Sequence, residues 1–99
     1  FEHGAAGGAQ IVPAHSACAE LWDDAAELLP IVRRFVPDYS PLQMAEVSPE
    51  GIGDALSRLH RNPELLRRRS RQAHGLATNR TPTWKDVGER LRDILDEAV

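Results

Sequence analysis

The sequence predicts a mixed α/β fold, with short parallel strands in the first half and three helices in the second. Three observations carry that expectation. Gln10 to Val12 and Glu27 to Val32, the latter with Leu28, Leu29, Ile31 and Val32 apolar, are short apolar runs that suit strands of a sheet covered on both faces. Three helix-start signals then follow in order, at Ser48, Asn62 and Thr83. The composition is ordinary for a globular chain, 41% hydrophobic and 27% charged, and its net charge of -3 argues against a dedicated binder of nucleic acid or anionic membrane.

Glu2 to Ala6 reads as a short helix that Gly7-Gly8 ends by supplying flexible backbone. The strand at Gln10 to Val12 stops at Pro13, which has no amide to give a sheet ladder, and Ala14 to Ala17 forms a loop. Cys18 to Trp22 forms a helical turn, and Pro30 favours an edge position for the strand at Glu27 to Val32. Two such strands do not make a stable sheet alone, so neighbouring strands from upstream sequence or a partner chain are expected to complete it. Arg33 to Val47, with Pro37, Asp38, Tyr39, Ser40 and Pro41, reads as a long connection with a short strand near Met44 to Val47.

From Ser48 onward the pattern is helical, which divides the chain into a strand, helix and loop part at 1-47 and a helical part at 48-99. Ser48-Pro49-Glu50 places a capping hydroxyl, a first-turn proline and a carboxylate where a helix start favours them. The inward face is Ile52, Ala55, Leu56 and Leu59. Asn62-Pro63-Glu64 repeats this grammar, with Leu65, Leu66, Ala73, Leu76 and Ala77 inward and Gly75 weakening the last turns. Thr83 and Asp86 form a reciprocal cap for a third helix, whose inward stripe is Trp84, Val87, Leu91, Ile94, Leu95 and Ala98. Trp22 and Trp84 are expected to anchor the core.

The opening Glu2-His3-Gly4-Ala5-Ala6-Gly7, the strand through Ile11 and Val12, and the small-residue loop leading to Glu20 resemble the E-A-x-A-x-G segment of retaining GT-B glycosyltransferases of the E-x(7)-E, family 4-like type. Asn62-Pro63-Glu64-Leu65 and Thr83-Trp84-Lys85-Asp86-Val87 resemble the closing D-P-E-L and T-W-x-x-V-A segments of the same enzymes. The resemblance covers most of the chain in the right order, although no single motif in it is specific. It implies the C-terminal portion of a Rossmann-like nucleotide-sugar domain, and hence a chain that begins inside a functional unit. The whole enzyme would transfer a sugar from a nucleotide-diphosphate donor without a metal or other cofactor, and residues 1-99 alone would be inactive.

What the resemblance implies for the site is donor binding rather than proton transfer, so no catalytic residue is assigned. Glu2 would be the second glutamate of the E-x(7)-E pair, accepting hydrogen bonds from the ribose hydroxyls. His15, Ser16 and Glu20 would line the loop facing the cleft. Three departures stand out. Ala9 replaces a common proline, Ser16-Ala17 replaces a common pair of glycines, and Arg33 to Glu46 looks like an insertion that would shape the cleft or a subunit contact.

Other features take plainer readings. His3, His15, His60, His74 and Cys18 show no metal-ligand spacing, and Cys18 suits packing better than nucleophilic work. Arg67, Arg68, Arg69 and Arg71 lack interleaved aromatics and read as a solvated helix face rather than a nucleic-acid site. The glycines at 4, 7 and 8 do not follow a strand and open a helix, so a dinucleotide loop is not indicated. A cytoplasmic setting is the default expectation, and membrane association is left open. The alternative to a transferase is a non-enzymatic module in which the helices from Ser48 onward bind a partner.

Overall fold

The computed structural model describes all residues, 1-99, and is mixed α/β. Its elements are α1 Glu2–Ala5, β1 Ile11–Pro13, α2 Ser16–Trp22, β2 Glu27–Leu29, β3 Arg33–Phe35, β4 Met44–Glu46, α3 Pro49–Arg61, α4 Pro63–Gly75 and α5 Trp84–Ala98. A 3-10 turn at Asp23–Ala25 leads into β2, and a π-helical turn at Leu76–Arg80 continues α4. No helix is long and apolar enough to cross a membrane.

β1 and β2 pair in parallel, with Ile11 opposite Glu27, Val12 opposite Leu28 and Pro13 opposite Leu29. The strand therefore includes Pro13 rather than ending before it. The ladder steps past its missing amide, because Ala14 donates the next bond to the Leu29 carbonyl at 2.8 Å. β2 is shorter than the apolar run: it stops at Leu29, just before Pro30. The stretch expected as a long connection with a short strand near Met44 to Val47 holds that strand as β4. It pairs with a second, unexpected strand, β3, in an antiparallel hairpin that sets Arg33 opposite Glu46, Arg34 opposite Ala45 and Phe35 opposite Met44. Arg33 seals its open end through an ion pair to Glu46 at 3.0 Å and sits 4.5 Å from the centre of the Phe35 ring.

The helix starts fall where the local chemistry puts them. Ser48 accepts from the Gly51 amide at 2.9 Å, Asn62 from Leu65 at 3.1 Å, and Thr83 and Asp86 close a complete capping box on α5.

The core is small. Trp22, Ala25 and Ala26 pack against Ala73 and Leu76, with Val12 alongside and Phe1 stacked on Trp22 at 5.3 Å between ring centres. Ala55 and Leu59 of α3 are also buried, and α3 packs against β2 and α4. Only ten of 99 residues are buried, and the radius of gyration is 17.2 Å, where a compact chain of this length would have about 13 Å.

Neither the β3–β4 hairpin nor α5 buries any residue. The stripe expected to face inward is exposed, with Val87, Leu91, Ile94 and Leu95 45 to 57% accessible, and Trp84, expected as a core anchor, is 89% accessible. A repeat of apolar residues specifies a face, whereas the surface that covers it must come from elsewhere, and none in residues 1-99 does so. Ile52, Leu56 and Leu66 are exposed as well, so the inward faces of α3 and α4 are narrower than their periodicity suggests.

Candidate functional site

Parallel pairing puts the carboxyl ends of β1 and β2 on one side, and three of the four donor-binding candidates follow directly from the end of β1. His15 is the N-cap of α2 in extended backbone (φ -144°, ψ 135°), with no side-chain cap bond. Ser16 opens the helix at φ 49°, the one non-glycine residue of the chain in the left-handed region, and is exposed. That conformation suits glycine best, because an L side chain crowds the following carbonyl there. Glu20, one turn further on, is exposed and lines a cavity of about 360 Å³ together with Leu76, Arg80, Thr81 and Pro82. The fourth candidate, Glu2, is on a different element, exposed in the first turn of α1.

α1 is held in place from the far end of the chain. Gly4 is buried against α4, where an added Cβ would meet the Trp22 ring at 3.0 Å and the Ala73 carbonyl at 3.3 Å. His74 Nδ1 lies 3.0 Å from the Ala5 carbonyl, an atom that can only accept, so this nitrogen carries the proton. Gly7 then turns the chain at φ 91°, a value that needs glycine. These contacts fix the helix on which Glu2 stands.

Two polar arrangements escape a reading of the sequence. Glu27, at the start of β2, is buried at 6% accessibility and paired with Arg69 at 3.2 Å and Arg58 at 3.7 Å. Arg69 also donates to the Asp24 carbonyl at 2.9 Å and to Gln72. One member of the basic run is thus a structural clamp rather than a solvated charge. The pair lies at the amino end of the parallel strands, opposite the His15-Ser16 turn, and its partners are far apart in sequence. The second is an open cavity of about 450 Å³ lined by Gly7, Ser70, Arg71, His74, Gly75 and Asn79, with no carboxylate in its wall. The only advance signal for it was that Ser70, Arg71 and His74 fall on neighbouring turns of one helix.

Glu2 shares no cavity or hydrogen bond with His15, Ser16 or Glu20. The candidates therefore offer separate groups: exposed carboxylates at Glu2 and Glu20, an imidazole and a hydroxyl at the turn after β1, and no buried acid or base free to move a proton. The buried carboxylate of Glu27 is already committed to two guanidinium groups. No protein-family model, curated protein or solved structure matches the chain with significance.

Proposed function

We propose that residues 1-99 are the C-terminal part of the Rossmann-like donor domain of a retaining GT-B glycosyltransferase, contributing to the binding of a nucleotide-diphosphate sugar. The observation that carries this reading is the order helix, strand, helix, parallel strand, from α1 to β2, in the stretch that resembles the E-A-x-A-x-G segment. Ligands of open parallel sheets bind beyond the carboxyl ends of the strands, and His15, Ser16 and Glu20 follow from that end of β1. The left-handed φ of Ser16 adds support, since this is a position at which the family commonly has glycine. Strands from the rest of the protein would pair with the open edges of the two-stranded sheet.

The test uses the natural translation product that contains these residues. A glutamate eight positions before Glu2 is expected, together with binding of a nucleotide-diphosphate sugar detectable by calorimetry. Glu2→Ala should weaken that binding by about tenfold or more, the worth of hydrogen bonds to a charged acceptor. A product that binds no member of a panel of nucleotide sugars, or one whose Glu2→Ala variant binds as well as the parent, overturns the reading.

The exposed apolar face of α5 favours a second reading, a non-enzymatic interaction module. Cooperative unfolding of isolated residues 1-99 supports it, and a molten or aggregating chain counts against it.

A further inference from the structure

We infer that the exposed face of α5 is a self-association surface, on which the same helix of a second copy lies antiparallel. The inference goes beyond either reading of the protein's function and rests on the exposure of α5 within residues 1-99. Trp84, Val87, Leu91, Ile94 and Ala98 follow the alternating three- and four-residue spacing of a coiled-coil seam, with Leu95 beside it, and every one of them is exposed. The capping box holds the first turn of the helix without help from the rest of the fold.

The charges choose the occupant and its direction. Arg90 and Glu97 flank the same side of the seam, two turns or about 10 Å apart along the axis. In an antiparallel pair that side meets its own equivalent, so Arg90 of each copy faces Glu97 of the other, giving two opposite-charge contacts. The same two-fold axis, beside residues 92 and 93, sets Leu91 against Ile94 and Val87 against Ala98 of the second copy. Parallel pairing would instead set Arg90 against Leu95 and forfeit both charge contacts. One helix face is a small interface, and a weak, concentration-dependent dimer is the expected result.

The experiment is sedimentation velocity on the natural product over a concentration series at low salt. A mass that rises from monomer to dimer with concentration is expected, and Leu91→Asp should hold the protein at monomer mass while leaving its circular dichroism unchanged. Arg90→Glu and Glu97→Arg should each weaken self-association by up to about tenfold, from two exposed pairs turned repulsive. A mixture of those two single variants should form a heterodimer more tightly than either forms a homodimer, because both contacts are then complementary. A protein that is monomeric throughout, with its α5 amides protected by another part of the same chain, overturns the inference. So does a dimer indifferent to Leu91→Asp, or a mixture that pairs no better than its components.

Discussion

The guanidinium of Arg69 donates from Nε to Glu27 at 3.2 Å across 42 residues of sequence, tying the middle of α4 to the first residue of β2. Removing the nearer partner of a buried charge costs more than the pair contributes, because Glu27 then stays buried with only the longer contact to Arg58. Arg69→Ala should therefore lower stability by about 3 kcal/mol in urea unfolding. Arg58→Ala, which removes a longer contact of 3.7 Å made by a half-exposed side chain, should cost less than about 1 kcal/mol. Equal losses would mean that the two arginines share the carboxylate evenly.

Gly4→Ala should be costly for a steric reason. The added methyl would sit 3.0 Å from the Trp22 ring and 3.3 Å from a backbone carbonyl, and neither yields as the tip of a flexible side chain would. A loss of about 1–3 kcal/mol is expected from overpacking, read as a lower thermal midpoint and a changed environment for Trp22 fluorescence. Gly53→Ala, which meets nothing within 4 Å, is the control and should be neutral or slightly stabilising in α3.

Ser16 separates conformation from side-chain chemistry. Ser16→Gly should raise stability by about 0.5–1 kcal/mol by relieving the left-handed backbone, whereas Ser16→Val should lower it by more. If the serine hydroxyl also touches a bound sugar donor, the glycine variant will be more stable yet bind the donor less tightly. Stability and affinity, measured together, tell the two roles apart.

The capping box of α5 has a pH signature. Asp86 accepts from the Thr83 amide at 2.7 Å and from the Thr83 hydroxyl at 2.9 Å, and these two bonds hold its carboxyl below the usual carboxylate range. With the folded value depressed, the contribution to stability is present above the unfolded value of about 3.9 and is lost as pH falls through the folded value. The first turn of α5 should keep its amide protection at neutral pH and fray only below about pH 3.9. Carbon-detected NMR titration reads this directly. Thr83→Val, lacking the hydroxyl, should move the Asp86 titration up toward the ordinary value while leaving the backbone bond in place.

What could be read from the sequence was local. Ser48, Asn62 and Thr83 each bond within three residues of themselves, so their helix starts were visible without knowing the fold. The parallel strands are legible through their apolar runs, to within one residue at Pro13 but three residues too long from Pro30 onward. The short strand near Met44 to Val47 is legible and is β4, whereas its partner β3 and the clamp on Glu27 depend on contacts that no local pattern names. At α5 the period was right and the burial wrong, since a stripe carries no information about the surface that will meet it. Of the site candidates, His15 and Ser16 follow one another into a single turn, while Glu2 owes its position to Trp22, Ala73 and His74.

That dependence also sets an order of assembly during synthesis. Trp22 leaves the ribosome 51 residues ahead of Ala73, which helps to enclose it. At about 5–20 residues per second the indole waits roughly 3–10 s before its cover exists. Through that interval the opening helix has Trp22 but neither Ala73 nor His74 to hold it, and the core around Trp22 lacks the helix that encloses it. The apolar surface of the first half therefore stays open until the second half arrives, and slower translation between Ala26 and Pro63 would lengthen its exposure.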